Sequence, residues 1–236
     1  MGVLDGKVAL ITGGTGALGR VVSAAFVTAG ARIVVTHMVD DELPAFRAAV
    51  PEGSYELAKV DLGNAREVAE LVRRILTAHE RIDALLQLAG GFWGGVRLVD
   101  TAEEDFDRML AVNLKTAFVC AQAVLPSMIL RRFGRIINVT ARPALADGAG
   151  VGAYAISKAG VAVLTRVLAE EAREHGVTVN AVAPSTIDTP GNRAAMPKAD
   201  PKRWVRPEHL AATLVFLASD AAADTSGAII PVYGRA

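Results

Sequence analysis

Short apolar runs of strand length alternate with longer amphipathic runs along the whole chain. Seven stretches, at 7–12, 32–37, 55–60, 83–89, 135–140, 177–183 and 228–232, are mostly rich in Val, Ile and Leu and show little polar alternation. A strand with one wet face alternates apolar and polar residues, so near-continuous runs predict strands covered on both faces. Helical stretches lie between them. The segment 64–80 places Val68, Leu71, Val72, Ile75 and Leu76 on one helical face, with Glu67, Glu70, Arg73 and Arg74 opposite. Further helices are predicted at 17–29, behind a glycine turn, at 152–174, and at 207–218, where Pro207 suits an early helical position. The run 101–131 reads as two helices in succession, broken near Asn113 and kinked again by Pro126.

Strand–helix alternation requires right-handed crossovers and a parallel sheet with helices on both faces. The expected fold class is α/β: a Rossmann-type doubly wound parallel sheet of seven strands, in a single domain over 1–236. The segment 185–206 interrupts the rhythm, being polar, aperiodic and interrupted by Pro190, Pro197 and Pro201. Ligands bind at the carboxyl ends of strands in such folds, so this segment after the sixth strand reads as a substrate lid.

Composition narrows the function classes. The chain has 236 residues with 25 basic and 25 acidic side chains, and zero net charge argues against nucleic acid as a partner. Cys120 is the single cysteine, which excludes an internal disulfide and fits a reducing cytoplasm. No unbroken apolar run reaches the roughly 20 residues of a membrane span. Asp5 stands where a secretory signal would carry basic residues. The expectation is a soluble, cytoplasmic protein with no membrane partner. His37, His79, His175 and His209 are scattered without Cys or carboxylates at ligand spacing, so no metal site is expected.

The chemistry begins after the first strand, with Thr12-Gly-Gly-Thr-Gly-Ala-Leu-Gly19 leading into a helix. Glycines there allow a tight turn and close approach to a pyrophosphate, while the helix start offers unpaired N–H groups and a positive dipole end. Together with Tyr154-Ala-Ile-Ser-Lys158, at the start of the helix after the fifth strand, this segment resembles the short-chain dehydrogenase/reductase family in its one-domain form. Similarity extends to Asp61-Leu62, Ala89-Gly90, Asn113 within Val112-Asn-Leu114, Asn180-Ala-Val-Ala-Pro184 and Ile187-Asp-Thr189, covering nearly the whole chain.

The resemblance implies hydride transfer between a nicotinamide coenzyme and a carbonyl or alcohol carbon, the coenzyme supplying the difficult chemistry. Tyr154 would be the general acid/base. Its phenol, ordinarily near pKa ~10, would have to be lowered, and Lys158 one helical turn on would do this as a nearby cation. Lys158 would also bind the nicotinamide ribose, and Asn113 would hold a relay water. The implied coenzyme-binding set is Gly13, Thr15, Gly16, Ala17, Leu18, Gly19, His37, Asp61, Leu62, Ala89, Gly90, Tyr154, Lys158, Pro184, Ile187 and Thr189. A homodimer or homotetramer joined through the helices at 114–130 and 151–168 is the family-based expectation. Phe92 and Trp93, among glycines after the fourth strand, would wall the substrate pocket.

Four departures from the family pattern alter that picture. Ala141 stands at the place of the catalytic serine, and losing one such donor costs roughly 10²- to 10³-fold in rate. Thr140 carries a hydroxyl, but on a strand it faces the other way unless the strand end twists. Arg142 could supply a donor or bind an acidic substrate group; otherwise the donor is simply lost. Ala17 replaces a glycine of the turn, which is a mild change at a helix start. Gln87-Leu-Ala-Gly90 replaces Asn-Asn-Ala-Gly, and Leu88 cannot tie neighbouring strands as the second Asn would.

Finally, Thr36-His37-Met38 closes the second strand with neither the acid that favours NAD nor the base that favours NADP, leaving a slight lean to NADP. Asp40 and Asp41 either swing back to a ribose or begin the next helix. Within the lid, Arg193, Lys198, Lys202, Arg203 and Arg206 read as a solvated loop or as a surface for an anionic substrate or carrier. The alternative to an enzyme is a dinucleotide-binding sensor or oligomer subunit with little catalysis, motivated by Ala141 and Leu88.

Overall fold

All seven apolar runs form strands in the computed structural model, which describes residues 2–235. They are β1 (Val8–Thr12), β2 (Arg32–His37), β3 (Tyr55–Lys59), β4 (Ala84–Gln87), β5 (Gly134–Val139), β6 (Val177–Pro184) and β7 (Ile229–Val232). They make one sheet in the order β3-β2-β1-β4-β5-β6-β7, every pairing parallel. Successive residues of a strand point to opposite faces, so each run feeds two cores. Leu10, Leu85 and Ile136 enter a layer with Val68, Leu71 and Ile75 of α3 (Ala65–His79) and Val124 and Met128 of α5 (Thr116–Arg131). That layer continues to Leu168 and Ala172 of α6 (Gly152–Ala172). Their neighbours Ile11, Leu86 and Ile137 turn to the other face. There they meet Val22 and Phe26 of α1 (Ala17–Thr28), Phe46 of α2 (Leu43–Ala49), and Leu210, Leu214 and Leu217 of α8 (Pro207–Ala218).

Several sequence expectations need correction. The run 101–131 does not break at Asn113. From α4 (Glu103–Met109) it passes into α5 through a π-helical turn, Leu110–Lys115, and α5 keeps Pro126 inside it. A wide turn admits an extra residue without ending the helix, and such turns gather at functional sites. The resulting helix, Glu103–Arg131, and Gly152–His175 have the length and apolar composition to cross a membrane, which the expectation of no such segment missed. Their apolar character has a reason in the fold: Val119, Cys120, Val124 and Met128 of one and Val161, Leu168 and Ala172 of the other are buried. On their outer surfaces Phe118, Leu130, Val163 and Val167 are exposed.

The segment 185–206 is more regular than expected. It contains α7 (Pro190–Ala195), pairs Ile187 with Val205, and buries Trp204. Asp188, inside the same segment, holds Arg193 at 2.6 Å. The basic lid is therefore not a set of unpaired cations. Helices as short as α2 and α7 present too few turns to show a period.

At the amino edge of the sheet, away from the strand ends where ligands bind, buried Asp83 clamps three elements. It accepts from the Val8 N–H at 2.8 Å, from Arg81 at 2.6 and 2.7 Å, and from Arg131 of α5 at 3.0 Å. Burial alone would raise its pKa, but Arg81, the Val8 N–H and Arg131 together hold the carboxyl below its ordinary value. Its contribution is thus present above the unfolded carboxyl range and fades as pH falls through the lowered folded value. Because Arg81 is partly in water, Asp83→Asn should cost about 1–3 kcal/mol at pH 7, less than a fully buried pair would. Urea unfolding at pH 7 and pH 3 should show that difference shrinking in acid.

Candidate active site

Parallel strands bring every carboxyl end to one edge, and most of the residues singled out in the sequence gather there. β1 ends at Thr12, whose hydroxyl donates to the Leu86 carbonyl and accepts from the Ala89 N–H, each at 3.3 Å. Gly13 then takes φ +62°, and a Cβ on it would lie 2.8 Å from Ala89 Cα. No residue with a side chain fits there without displacing the β4 loop. The Gly13 N–H donates to Thr36 Oγ1 on β2 at 3.2 Å. Gly19, in the first turn of α1, lies so close to the loop that a Cβ would come 2.2 Å from the Gly13 oxygen.

Gly16 is the N-cap of α1, with no side-chain cap and no acid in the first turn. A Cβ on Gly16 would make only ordinary contacts, 3.6 Å from the Gly13 oxygen and 3.7 Å from Glu42 Oε1. The cradle fits the phosphates of a dinucleotide: bare N–H groups, a positive helix end and no competing carboxylate on the helix itself. Ala17 opens α1 and does not disturb it, and Leu18 packs against the core beneath.

Elsewhere on this edge His37 is buried at the end of β2, its Nδ1 lacking a hydrogen bond among the described residues. Leu62 is buried below the β3 end, while Asp61 accepts from the Gly63 N–H at 2.8 Å in a tight turn. Pro184 ends β6, Ile187 pairs with Val205, and Thr189 caps α7 by accepting from the Asn192 N–H at 3.2 Å. The tie missing at Leu88 is made by its neighbour. Gln87 donates to Asn138 Oδ1 of β5 and to the Ala117 carbonyl of α5, both at 3.0 Å.

Asn113 and Lys158 converge beside Gly90. A Cβ on Gly90 would lie 2.5 Å from Asn113 Oδ1 and 3.3 Å from Lys158 Nζ, and Tyr154 stands one helical turn before Lys158 on α6. The Asn113 side chain fastens three segments together. Oδ1 accepts from the Gly91 N–H at 3.0 Å, and Nδ2 donates to the Gly91 carbonyl at 3.0 Å and to Ser157 Oγ at 3.1 Å. The amide is a clip between the π turn, the β4 loop and α6. Ser157 Oγ in turn donates to the Tyr154 carbonyl at 2.7 Å. Sequence inspection passed over Ser157, because a serine on a helix carries no signal of a partner 44 positions away.

Lys158 is buried and donates from Nζ to the Val139 carbonyl at 2.9 Å. Burial lowers its pKa to about 8. Burial pushes the Tyr154 phenol up to about 12. Both shifts have one cause, removal of the charged form from water. The Phe92 ring stands edge-on to Tyr154 with centroids 5.1 Å apart, as a pocket wall would.

Just past β5 the side chains are committed to packing and to neighbours. Ala141 is buried, and the Thr140 hydroxyl donates to the Lys158 carbonyl at 2.6 Å, fastening α6 to the strand end. Arg142 is paired with Asp147 at 2.8 Å and lies 5.3 Å from the Tyr233 ring centroid.

Residues 7–200 match the family model for short chain dehydrogenases. A 3-oxoacyl-(acyl-carrier-protein) reductase of Thermotoga maritima is 33% identical over 98% of each chain. A D-threitol dehydrogenase of Mycolicibacterium smegmatis is 34% identical over 98% of this chain and 93% of its own. Among solved structures, levodione reductase superposes with a TM-score of 0.89 at 26% identity, covering 98% of this chain and 97% of its own. Glycine turn, sheet order and end-to-end similarity agree, and the chain belongs to the short chain dehydrogenase family.

Proposed function

We propose that this protein is an NAD(P)-dependent oxidoreductase that moves a hydride between the coenzyme and a carbonyl or alcohol carbon of a small molecule. The observation that carries it is the convergence of Asn113 and Lys158 beside Gly90, with Tyr154 one helical turn before Lys158 on α6, at the strand edge that holds the glycine cradle. Relatives named as reductases and dehydrogenases support the reaction class. The nicotinamide coenzyme, held by 13–19 and the ends of β2, β4 and β6, would supply or accept the hydride. Tyr154 meets the substrate oxygen and carries the proton. Lys158 favours the phenolate left when that proton is given. Asn113 and Thr140 hold the turn and the helix that aim the pair. Phe92 and Trp93 border the substrate, and segment 185–206 closes over it as a lid. The exposed apolar residues of α5 and α6 support a homodimer or homotetramer.

A phenol pushed up to about 12 keeps its proton at neutral pH, so Tyr154 meets a substrate oxygen in its protonated form. The reading therefore favours carbonyl reduction near neutrality, with alcohol oxidation rising in alkali. The reading of a dinucleotide-binding protein with little catalysis rests on Ala141, since one lost oxyanion donor removes roughly 10²- to 10³-fold in rate. A single variant separates the two: Tyr154→Phe should abolish carbonyl-dependent NAD(P)H oxidation while changing coenzyme affinity less than about threefold. Turnover that survives in this variant would remove Tyr154 from the chemistry. Wild-type protein without turnover on a broad carbonyl panel would favour the binding reading.

Two expectations follow from Lys158. Its cation is present below about pH 8 and is lost as pH rises through that value, so kcat for reduction should hold steady below pH 8 and fall above it. A steady-state pH profile checks this. For stability the direction reverses. The unfolded lysine keeps its proton to about 10.4, the folded one only to about 8, so stability rises with pH across that window. Lys158→Met should accordingly leave the fold as stable or more stable at pH 7, by up to about 1–3 kcal/mol, while turnover is lost. Thermal melts beside activity assays would show both effects.

A further inference from the structure

The far end of the cradle, away from Tyr154, contains a side chain that the sequence pattern did not bring forward. A short turn, Asp40–Glu42, leads into α2 after β2. Asp40 turns back to β3, where Lys59 donates to it at 2.6 Å, and its Oδ1 lies 3.5 Å from His37 Nδ1. Glu42 reaches across to the glycine loop instead. Its Oε2 accepts from Thr15 Oγ1 at 2.5 Å, and its Oε1 lies 3.7 Å from the Cβ position of Gly16, the N-cap of α1. Thr15 is fully buried, so its hydroxyl holds the carboxylate in one place against the loop.

We infer that Glu42 reads the adenosine ribose and makes this protein select NAD over NADP, replacing the acid that β2 lacks at His37. This rests on the dinucleotide reading above. In folds of this kind an acid about 20 residues beyond the glycine turn hydrogen-bonds the ribose 2′-hydroxyl. His37 closes β2 and cannot do this as a carboxylate would. Glu42 brings two acceptor oxygens to the same edge from the start of the next helix. Its only hydrogen-bond partner among the described residues is a neutral hydroxyl, and no cation pairs with it there. A 2′-phosphate brings up to about two negative charges and would meet that charge uncompensated. The lysine beside it in the sheet register, Lys59 opposite His37, is already taken by Asp40. This assignment runs against the slight lean to NADP read from the missing strand-end acid.

The test is a fluorescence titration of the purified full chain with NADH and with NADPH. Wild type should bind NADH at least roughly tenfold more tightly. Glu42→Gln should narrow the NADH-to-NADPH affinity ratio by at least about fivefold, mainly through tighter NADPH. Glu42→Ala, read the same way, serves if the glutamine variant melts early. Asp41→Asn makes the same charge change on a neighbouring exposed residue and should leave the ratio within about twofold. Tighter wild-type binding of NADPH, an unchanged ratio in both Glu42 variants, or an equal shift in Asp41→Asn would overturn the assignment while leaving the dinucleotide site standing. No binding of either coenzyme to wild type would overturn the dinucleotide reading itself, and this assignment with it.

Discussion

Parallel pairing of every strand governs the rest of this molecule. Parallel neighbours cannot be joined by tight turns, so each return crosses a face of the sheet as a helix or long loop. Both faces are then covered, and alternate residues such as Leu10 and Ile11 must both be apolar. The same constraint sends every carboxyl end to one edge. Between β1 and β4 the order reverses, since β2 lies on one side of β1 and β4 on the other, and helices diverge there to leave a crevice. The glycine turn opens at that point. The Asp83 clamp lies at the opposite edge, where it can stiffen the sheet without intruding on the site.

Around Tyr154 and Lys158, desolvation is the main instrument. It lowers Lys158 and raises Tyr154, so each is driven toward its uncharged form. The surrounding contacts hold rather than charge them: Thr140 grips the Lys158 carbonyl, Val139 takes the ammonium, and Asn113 is fastened to Gly91 and Ser157. Such a buried lysine opposes folding at neutral pH, a familiar conflict between stability and function. On either side of Ala141 the side chains are occupied: Thr140 is committed to α6 and Arg142 to Asp147.

At the far end of the glycine turn, what matters is where a side chain arrives, not where its backbone sits. A strand-terminal residue and a residue at the start of the next helix can serve the same few ångströms of space. Glu42 arrives at the glycine loop because the turn at Asp40–Glu42 faces it and because Thr15 offers it a buried hydroxyl. Asp40, two residues earlier, is drawn the other way by Lys59. Local electrostatics thus sorts adjacent acids into different tasks.

The strands, the long helices and the glycine turn were legible in the chain because periodicity, glycine spacing and the one-turn separation of Tyr154 and Lys158 act within a few residues. Ala141 and His37 were visible as substitutions for the same reason. The continuity of the helix through Asn113 was not, since an amide that can end a helix can also clip a π turn, and only Gly91 and Ser157 decide which. The direction of the Tyr154 shift was not visible either, because it depends on burial supplied by Phe92 and the surrounding walls, not on the neighbouring lysine alone. Glu42 lay outside any local pattern, 27 positions from the threonine it meets. Backbone preferences and spacing are written along the chain, whereas solvent exclusion and side-chain partners come into being only when distant segments pack.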